Sequence, residues 1–211
     1  LALLDRAWAR AQHRLQVVTV TGEPGIGKSR LVSDFATAVE KEGTRVLVGR
    51  CGEHLEVSFE PFVEMLRIEL DSPGVDPLEV WMGPLHADPA TEQHRILDAA
   101  AEWLSKLCTP APICLVIDDL HWSDPETRLL LKHLLGTARP IRALVLLTMR
   151  DREHLPGHPL QGTATDFLRQ SETLTHLPLH GLDAASIDQI LKAEMARAES
   201  TGPLGADVTA R

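Results

Sequence analysis

The 211-residue sequence predicts an α/β fold, in which a parallel β-sheet lies between two layers of helices as a three-layer sandwich. Five short segments rich in Val, Ile and Leu alternate with longer stretches of helical periodicity, a pattern typical of strands joined by crossover helices. Several of these segments are continuously apolar, which favours strands buried on both faces. The composition, 44% hydrophobic and 24% charged, is that of a soluble globular chain, and its length allows one large domain or one plus part of another.

The helices are predicted from the spacing of apolar residues between those segments. A helix at the start of the chain is predicted from the spacing of Leu3, Leu4, Ala7, Trp8 and Ala11. After the first strand, apolar residues recur every four positions over 28–42, and Gly43 is a stop signal for that helix. The five strands are predicted at 15–20, 45–49, 113–118, 142–148 and 173–179.

Residues 51–111 are predicted to form a helical insertion between the second and third strands. It contains two amphipathic helices separated by a Pro- and Gly-rich loop at 71–84. After the third strand, Asp124 is placed as an N-cap with Pro125 at the first helical position, followed by a leucine stripe. That helix is expected to bridge the third and fourth strands.

The C-terminal part of the chain predicts a second, smaller unit. Residues 151–162 are expected to form a loop and 182–198 an amphipathic helix. We therefore divide the chain into a core domain at 1–180 and the beginning of a helical lid subdomain at 181–211. Both ends look truncated, since residue 1 is Leu and already lies within a predicted helix, so a fragment of a longer polypeptide is expected.

Charge and cysteine content argue against several classes of protein. Lys and Arg number 21 against 30 Asp and Glu, a net charge of −9, which disfavours a chain that coats nucleic acid. The longest apolar runs fall short of the roughly 20 residues that cross a bilayer, so a cytoplasmic location without membrane contact is expected. Three cysteines without CxxC spacing indicate neither a disulfide framework nor a zinc site.

A phosphate-binding loop is predicted where the first strand meets the first long helix. The stretch GEPGIGKS at 22–29 fits G-x-x-x-x-G-K-[ST] in the strand-to-helix context that the motif requires. Backbone N–H groups and the helix N-terminus can hold phosphates, Lys28 adds a charge toward the terminal phosphates, and the Ser29 hydroxyl can ligate Mg²⁺. The alternative is a glycine turn without a ligand. The candidate nucleotide-binding residues are Gly22, Glu23, Pro24, Gly25, Ile26, Gly27, Lys28, Ser29 and Arg30.

A second candidate motif is the pair of acids that ends the predicted strand ICLVID. A strand buried on both faces has little reason to end in adjacent carboxylates unless a cation or a water is handled there. Asp118 is therefore assigned to Mg²⁺, through water, and Asp119 to orienting and polarising the attacking water. The alternative is a polar strand end that caps a loop.

Five stretches of the sequence together resemble the STAND-type signal-transduction ATPases of the AAA-like P-loop class: GEPGIGKSRL, VLVGRC, EPFVEML, LVIDDLHWSDPETRLLLKHL and LVLLTMRD. They are similar in particular to the ATPase domain of large ATP-binding LuxR-type transcriptional regulators and of proteins that pair it with a class III adenylate cyclase. The resemblance implies a P-loop NTPase core with a five-stranded parallel sheet of order 5-1-4-3-2, followed by helical and regulatory domains.

The resemblance also implies two further site residues after the fourth strand. Thr148 and Arg150 would act as the sensor of the terminal phosphate, Arg150 reaching across from between the strands that bear Lys28 and Asp118. The alternative for Arg150 is a surface ion pair with Asp151 or Glu153. Trp122 is interpreted as a packing anchor rather than a platform for a base.

The leading functional hypothesis is an ATP- and Mg²⁺-dependent regulatory switch that hydrolyses slowly and is read by attached domains. Its expected partners are ATP, further domains of the same polypeptide and a possible second copy, without direct nucleic-acid binding. ATP rather than GTP follows from the resemblance, since no N-K-x-D motif is present. The alternatives are a small-molecule phosphotransferase and a nucleotide-binding scaffold without turnover.

Overall fold

The structure is a computed structural model that describes residues 1–52, 58–70, 89–137, 139–150, 173–181 and 192. The helices are α1 (Ala2–Ala11), α2 (Lys28–Lys41), α3 (Glu60–Leu70), α4 (Pro89–Leu107) and α5 (Pro125–Gly136). The strands are β1 (Gln16–Gly22), β2 (Arg45–Arg50), β3 (Ile113–Asp118), β4 (Ala143–Arg150) and β5 (Leu174–Pro178), and a single 3₁₀ turn (Leu120–Trp122) follows β3.

The five strands form one parallel sheet in the order β2-β3-β4-β1-β5. Read from the opposite edge, this is the predicted order 5-1-4-3-2, so the α/β P-loop NTPase fold is confirmed. β4 lies between β1 and β3, and its register pairs Arg150 with Gly22. The predicted end of the first strand was two residues short, because the ladder between β1 and β4 continues to that pair.

Burial differs between the middle and the edges of the sheet. β1 and β3 are buried along their whole length, and β4 is buried up to its last residue. The edge strand β2 has two buried residues among more exposed ones, and every residue of the other edge strand, β5, is partly or fully exposed. Continuous burial therefore holds only for the three inner strands, because these alone have a strand on both sides.

Two apolar clusters cover the two faces of the sheet. One cluster combines β-strand residues such as Leu115 and Val145 with buried side chains of α3, α4 and α5. The other combines Val18 and Val116 with buried side chains of α1 and α2, including Phe35. The insertion between β2 and β3 thus packs on the face opposite α2, and the result is the predicted three-layer arrangement.

The start of α5 is fixed as predicted. The Asp124 side chain accepts a hydrogen bond from the Thr127 backbone N–H at 2.7 Å, and Pro125 occupies the first turn. This N-cap satisfies a donor that the helix itself leaves unpaired. Buried Leu130, Leu131 and Leu134 then face the core.

The contacts of the chain divide it into two compact units, Leu1–Leu179 and His180–Arg211. The predicted loops at 71–84 and 151–162 and the predicted helix at 182–198 lie outside the described residues. The helical lid therefore stays a prediction. Among the helices that the structure describes, none combines the length and the apolar character that spanning a membrane requires.

Candidate functional site

The loop at 22–29 connects the end of β1 to the start of α2, and two of its glycines are required by geometry. At Gly22 a β-carbon would lie 2.8 Å from the carbonyl oxygen of Leu179 and 2.9 Å from Cγ2 of Ile26, so the backbone passes too close for any side chain. Gly27, with φ at 102°, caps α2 in the left-handed region, where glycine carries no steric penalty. The loop conformation therefore depends on this motif.

The loop concentrates positive charge and free donors. Lys28 is buried, and its Nζ donates hydrogen bonds to the carbonyl oxygens of Gly22 and Glu23, each at 2.9 Å. Among the described residues, the N–H groups of Gly25 and Gly27 have no hydrogen-bond partner. These donors stand beside the N-terminus of a 14-residue helix, where the helix dipole favours an anion. The loop therefore offers a positive charge and N–H donors of the kind that an anion such as phosphate requires.

Asp118 ends β3 with its carboxylate held by side chains from three other elements. Its Oδ1 accepts hydrogen bonds from the hydroxyls of Ser29, at 2.8 Å, and Thr148, at 2.5 Å. Its Oδ2 lies 3.7 Å from Nε of Arg50, and only 9% of the Asp118 side chain is exposed. The carboxylate is thus fixed in position beside the end of the phosphate-binding loop.

Asp119 differs from its neighbour in both backbone and exposure. Its φ of 55° and ψ of 44° lie in the left-handed region, which is uncommon for a residue with a side chain. Its N–H donates to the Thr148 hydroxyl at 2.8 Å, and 40% of its side chain is exposed. His121, which is buried, places Nδ1 3.8 Å from Oδ1 of Asp119. This carboxylate is accessible, and such backbone conformations concentrate at functional sites.

Thr148 and Arg150 lie at the end of β4, as the sequence predicts. In addition, Thr148 makes hydrogen bonds that the sequence does not predict. Its buried hydroxyl accepts from the Asp119 N–H and donates to the Asp118 carboxylate, so it joins the two acids. Arg150 is exposed, and its guanidinium carbon lies 5.4 Å from the ring centroid of Trp122. The acids that were its alternative partners lie outside the described residues.

Ser29 and Asp118 together fit an Mg²⁺ site. Their oxygens are 2.8 Å apart, and hydroxyl and carboxylate oxygens are the hard ligands that Mg²⁺ prefers. The described residues contain no group of three or more His, Cys, Asp or Glu that could hold a metal ion by itself.

Two sets of contacts at the edge of this site are not predicted by the local sequence. Arg50, paired in register with Asp118, is anchored through its backbone N–H to the Glu64 carboxylate at 2.8 Å. The neighbouring Gly52 N–H donates to Glu60 at 3.1 Å. These bonds join the end of β2 to α3. Only the GRC stretch at the end of β2 could have indicated them, because the position of α3, which carries both glutamates, cannot be predicted from the local sequence.

Similar solved structures share the fold. The chain is 17% identical to the ORC2 protein of Aeropyrum pernix in its ADPNP–ADP complexes, over 92% of this chain and 50% of that one, with a TM-score of 0.53. It is 23% identical to a STAND protein with a tetratricopeptide repeat sensor from Pyrococcus horikoshii, over 91% of this chain and 25% of that one, with a TM-score of 0.51. It is 14% identical to Drosophila ORC bound to DNA, over 95% of this chain and 47% of that one, with a TM-score of 0.57.

The chain thus spans half or less of the length of each of these relatives. No curated protein matches the sequence. A sequence model of the AAA ATPase domain matches residues 1–147, which include the phosphate-binding loop and both acids. That match spans more than half of the chain, so the protein belongs to the AAA ATPase domain family.

Proposed function

We propose that this chain is the ATP-binding and slowly hydrolysing switch module of a larger signalling or transcription-regulating protein. One observation carries the proposal: Ser29 and Thr148 both hydrogen-bond to Asp118, so the phosphate-binding loop, the metal-site acid and the sensor strand meet at one carboxylate. A change at any of the three can reach the other two through hydrogen bonds of 2.5 to 2.8 Å.

Nucleotide binding is assigned to the loop and Lys28. The N–H groups of Gly25 and Gly27 and the start of α2 face the phosphates, as expected for such loops. Lys28 exchanges its two carbonyl partners for phosphate oxygens, which are stronger acceptors because they carry charge. The residues at 22–30, including Glu23, Pro24, Ile26 and Arg30, form the wall of this site.

Magnesium, when bound, would neutralise developing negative charge on the phosphates. Ser29 would hold the ion directly and Asp118 through a water. Because the Asp118 carboxylate is buried and already fixed by two hydroxyls, little reorganisation is needed for this part.

Hydrolysis is assigned to Asp119, whose partly exposed carboxylate can orient a water and accept its proton. The Asp119 backbone N–H donates to the Thr148 hydroxyl, and this hydrogen bond fixes the position of the backbone that carries the carboxylate. Arg150, next to Gly22 in the sheet, supplies a cation toward the terminal phosphate. Positioning and charge stabilisation are what phosphoryl transfer requires of a protein.

The switch follows from the same contacts. ATP and ADP differ at the terminal phosphate, which Arg150 and Asp119 would face, and buried Thr148 would sense it through its hydrogen bonds to Asp118 and Asp119. The difference between the ATP and ADP states would be read by domains attached to this module, which by the resemblance above would be a DNA-binding or an adenylate cyclase domain. A cationic side chain supplied by a second copy of the chain would raise the rate of ATP hydrolysis further, as arginine fingers do. We place this activity in the cytoplasm.

Two measurements on the chain test the proposal. Calorimetric titration with ATP and Mg²⁺ should show binding, and phosphate release should be slow and rise with protein concentration. Absence of ATP binding would overturn the nucleotide site altogether. Rapid release independent of protein concentration would instead indicate a complete constitutive ATPase and overturn the switch.

A further inference from the structure

Arg150 and Trp122 form a contact that neither residue's local sequence predicts. The guanidinium carbon of Arg150 lies 5.4 Å from the centroid of the Trp122 ring, within the range of a cation–π interaction. Arg150 is the last residue of β4, and Trp122 is the last residue of the 3₁₀ turn after Asp119. The stack therefore joins the sensor strand to the segment that carries the candidate general base.

The Trp122 ring is a fixed surface. Its backbone N–H donates to the carbonyl oxygen of Asp119 at 2.9 Å, and its side chain packs against the apolar cluster beneath α3, α4 and α5. The imidazole of His121 lies 5.0 Å away, tilted by 38°. Arg128 donates to the carbonyl oxygen of the next residue, Ser123, which holds the end of the turn. A ring held in this way can restrict the positions of the Arg150 side chain that contacts it.

A guanidinium has five N–H donors, and a contact of its carbon with an aromatic ring does not by itself occupy them. Among the residues that the structure describes, the Arg150 side chain makes no hydrogen bond or ion pair. In the sheet register Arg150 stands beside Gly22, the first residue of the phosphate-binding loop. The arginine therefore keeps its donors available at the edge where the terminal phosphate of ATP is proposed to lie.

We propose that Trp122 is a positioning residue that holds Arg150 ready for the terminal phosphate and so sets the preference for ATP over ADP. The inference rests on the proposed function and adds a part that the phosphate-binding loop and the acids do not supply. An unsupported arginine on an exposed strand end loses side-chain entropy when it binds, and stacking removes part of that loss beforehand. Because only ATP carries the third phosphate, the effect falls on ATP alone.

The test compares affinities for ADP and for a non-hydrolysable ATP analogue, both with Mg²⁺, measured by calorimetry. In wild type the analogue should bind more tightly than ADP. Trp122→Leu should lower that preference by roughly three- to tenfold, the scale of a cation–π contact, while ADP affinity stays unchanged. Trp122→Phe, which keeps an aromatic face, should retain most of the preference.

A double-mutant cycle separates positioning from packing. Arg150→Gln should reduce the preference on its own, and adding Trp122→Leu to it should change nothing more. Trp103→Leu is the matched control, since Trp103 is also partly buried against the same apolar cluster but lies on α4. It should leave the ratio of the two affinities unchanged.

Three outcomes would overturn the inference. In the first, Trp122→Leu lowers the affinities for the ATP analogue and for ADP equally. In the second, Trp122→Leu lowers the preference for the analogue as much in the Arg150→Gln background as in wild type, and in the third it leaves the ratio of the two affinities unchanged. If Trp122→Leu does not fold, the cycle is run with Trp122→Phe, whose smaller loss must also vanish in the Arg150→Gln background. Wild type that binds neither nucleotide would instead show that the proposed function itself is wrong.

Discussion

The phosphate-binding segment (residues 22–29) and the acidic segment (residues 118–122) follow two inner strands at the same edge of the sheet, yet they are built differently. The first is shaped by its own backbone: two glycines set the turn, and Lys28 bonds to carbonyl oxygens of the loop itself. The second is shaped from outside, because side chains of α2, β2 and β4 hold Asp118.

The difference separates the two tasks of the site. A segment that binds through its own N–H groups can hold a ligand without help from distant residues, whereas carboxylates need external partners to fix their positions. Changes in the phosphate-binding segment should therefore affect affinity, and changes in the acidic segment should affect turnover and metal dependence. Each of the four changes below tests one side of this division.

The largest effect is expected from Asp119→Asn. Asparagine has the same size and tolerates the left-handed backbone, so the turn and the Thr148 bond to the N–H should persist. Loss of the charge that accepts the proton should lower phosphate release by about 10²- to 10⁴-fold. ATP affinity should stay within about threefold of wild type, because no binding donor is removed.

Radiolabelled phosphate release and calorimetry on the same preparation check this pair of values. Asp5→Asn, at an exposed position of α1, is the control and should change neither. Wild-type turnover in Asp119→Asn would transfer the catalytic part to another residue.

Lys28→Ala should lower ATP affinity by about 100-fold or more. Two charge-assisted hydrogen bonds to phosphate are lost, each contributing about 1.5–3 kcal/mol. The fold should persist, since the lysine is held by loop carbonyls rather than by core residues. Lys41→Ala, at the other end of α2, is the matched control, and equal ATP affinity in Lys28→Ala and wild type would contradict the assignment.

Asp118→Asn should raise the Mg²⁺ concentration required for ATP binding by roughly 10- to 100-fold, the usual effect of losing a residue that orients a metal ligand. Nucleotide affinity in excess EDTA should be nearly unchanged, because the loop donors remain. Titration of a fluorescent ATP analogue at graded Mg²⁺ measures both quantities. An unaltered Mg²⁺ dependence would place the metal away from Asp118.

The smallest effect concerns two buried thiols. Burial raises the pKa of Cys51 to about 12, with further contributions from Glu60, Asp124, Asp119 and Asp118. Burial alone raises the pKa of Cys114 to about 12. An unfolded thiol loses its proton above about 9, so the unfolded state binds fewer protons and the free energy of unfolding should fall as the pH rises from 9 toward 12.

The slope is at most about 1.4 kcal/mol per pH unit for each thiol. Denaturant unfolding at pH 9, 10 and 11 measures it, and Cys51→Ala should reduce it. Equal slopes in the two proteins would show that the folded state does not raise the pKa of Cys51.

The sequence alone predicts those features that depend on short stretches. The glycines of the phosphate-binding loop, the apolar run of β3 and the Asp124 cap are each determined within a few residues, and the structure has all three. The order of the strands could be predicted only from the family resemblance, because an apolar segment does not indicate which strands lie beside it in the sheet. That Asp118 and Asp119 would lie near the loop followed from parallel strands ending at one edge.

Other contacts could not be predicted because they depend on strand register. Thr148 reaches both acids, and Arg150 reaches Trp122, only because β4 is aligned against β1 and β3 in one particular way. A shift of one residue would turn these side chains to the opposite face. The contact of Arg150 with the terminal phosphate itself stays a prediction.

The left-handed backbone of Asp119 has a consequence for laboratory evolution. Glycine adopts this conformation without the cost, on the order of 1 kcal/mol, that a residue with a side chain incurs. A screen that rewards heat resistance alone would therefore enrich Gly at position 119, and one that rewards phosphate release would retain Asp. Libraries selected for stability without an activity readout would converge on a protein with higher thermal stability and slower phosphate release.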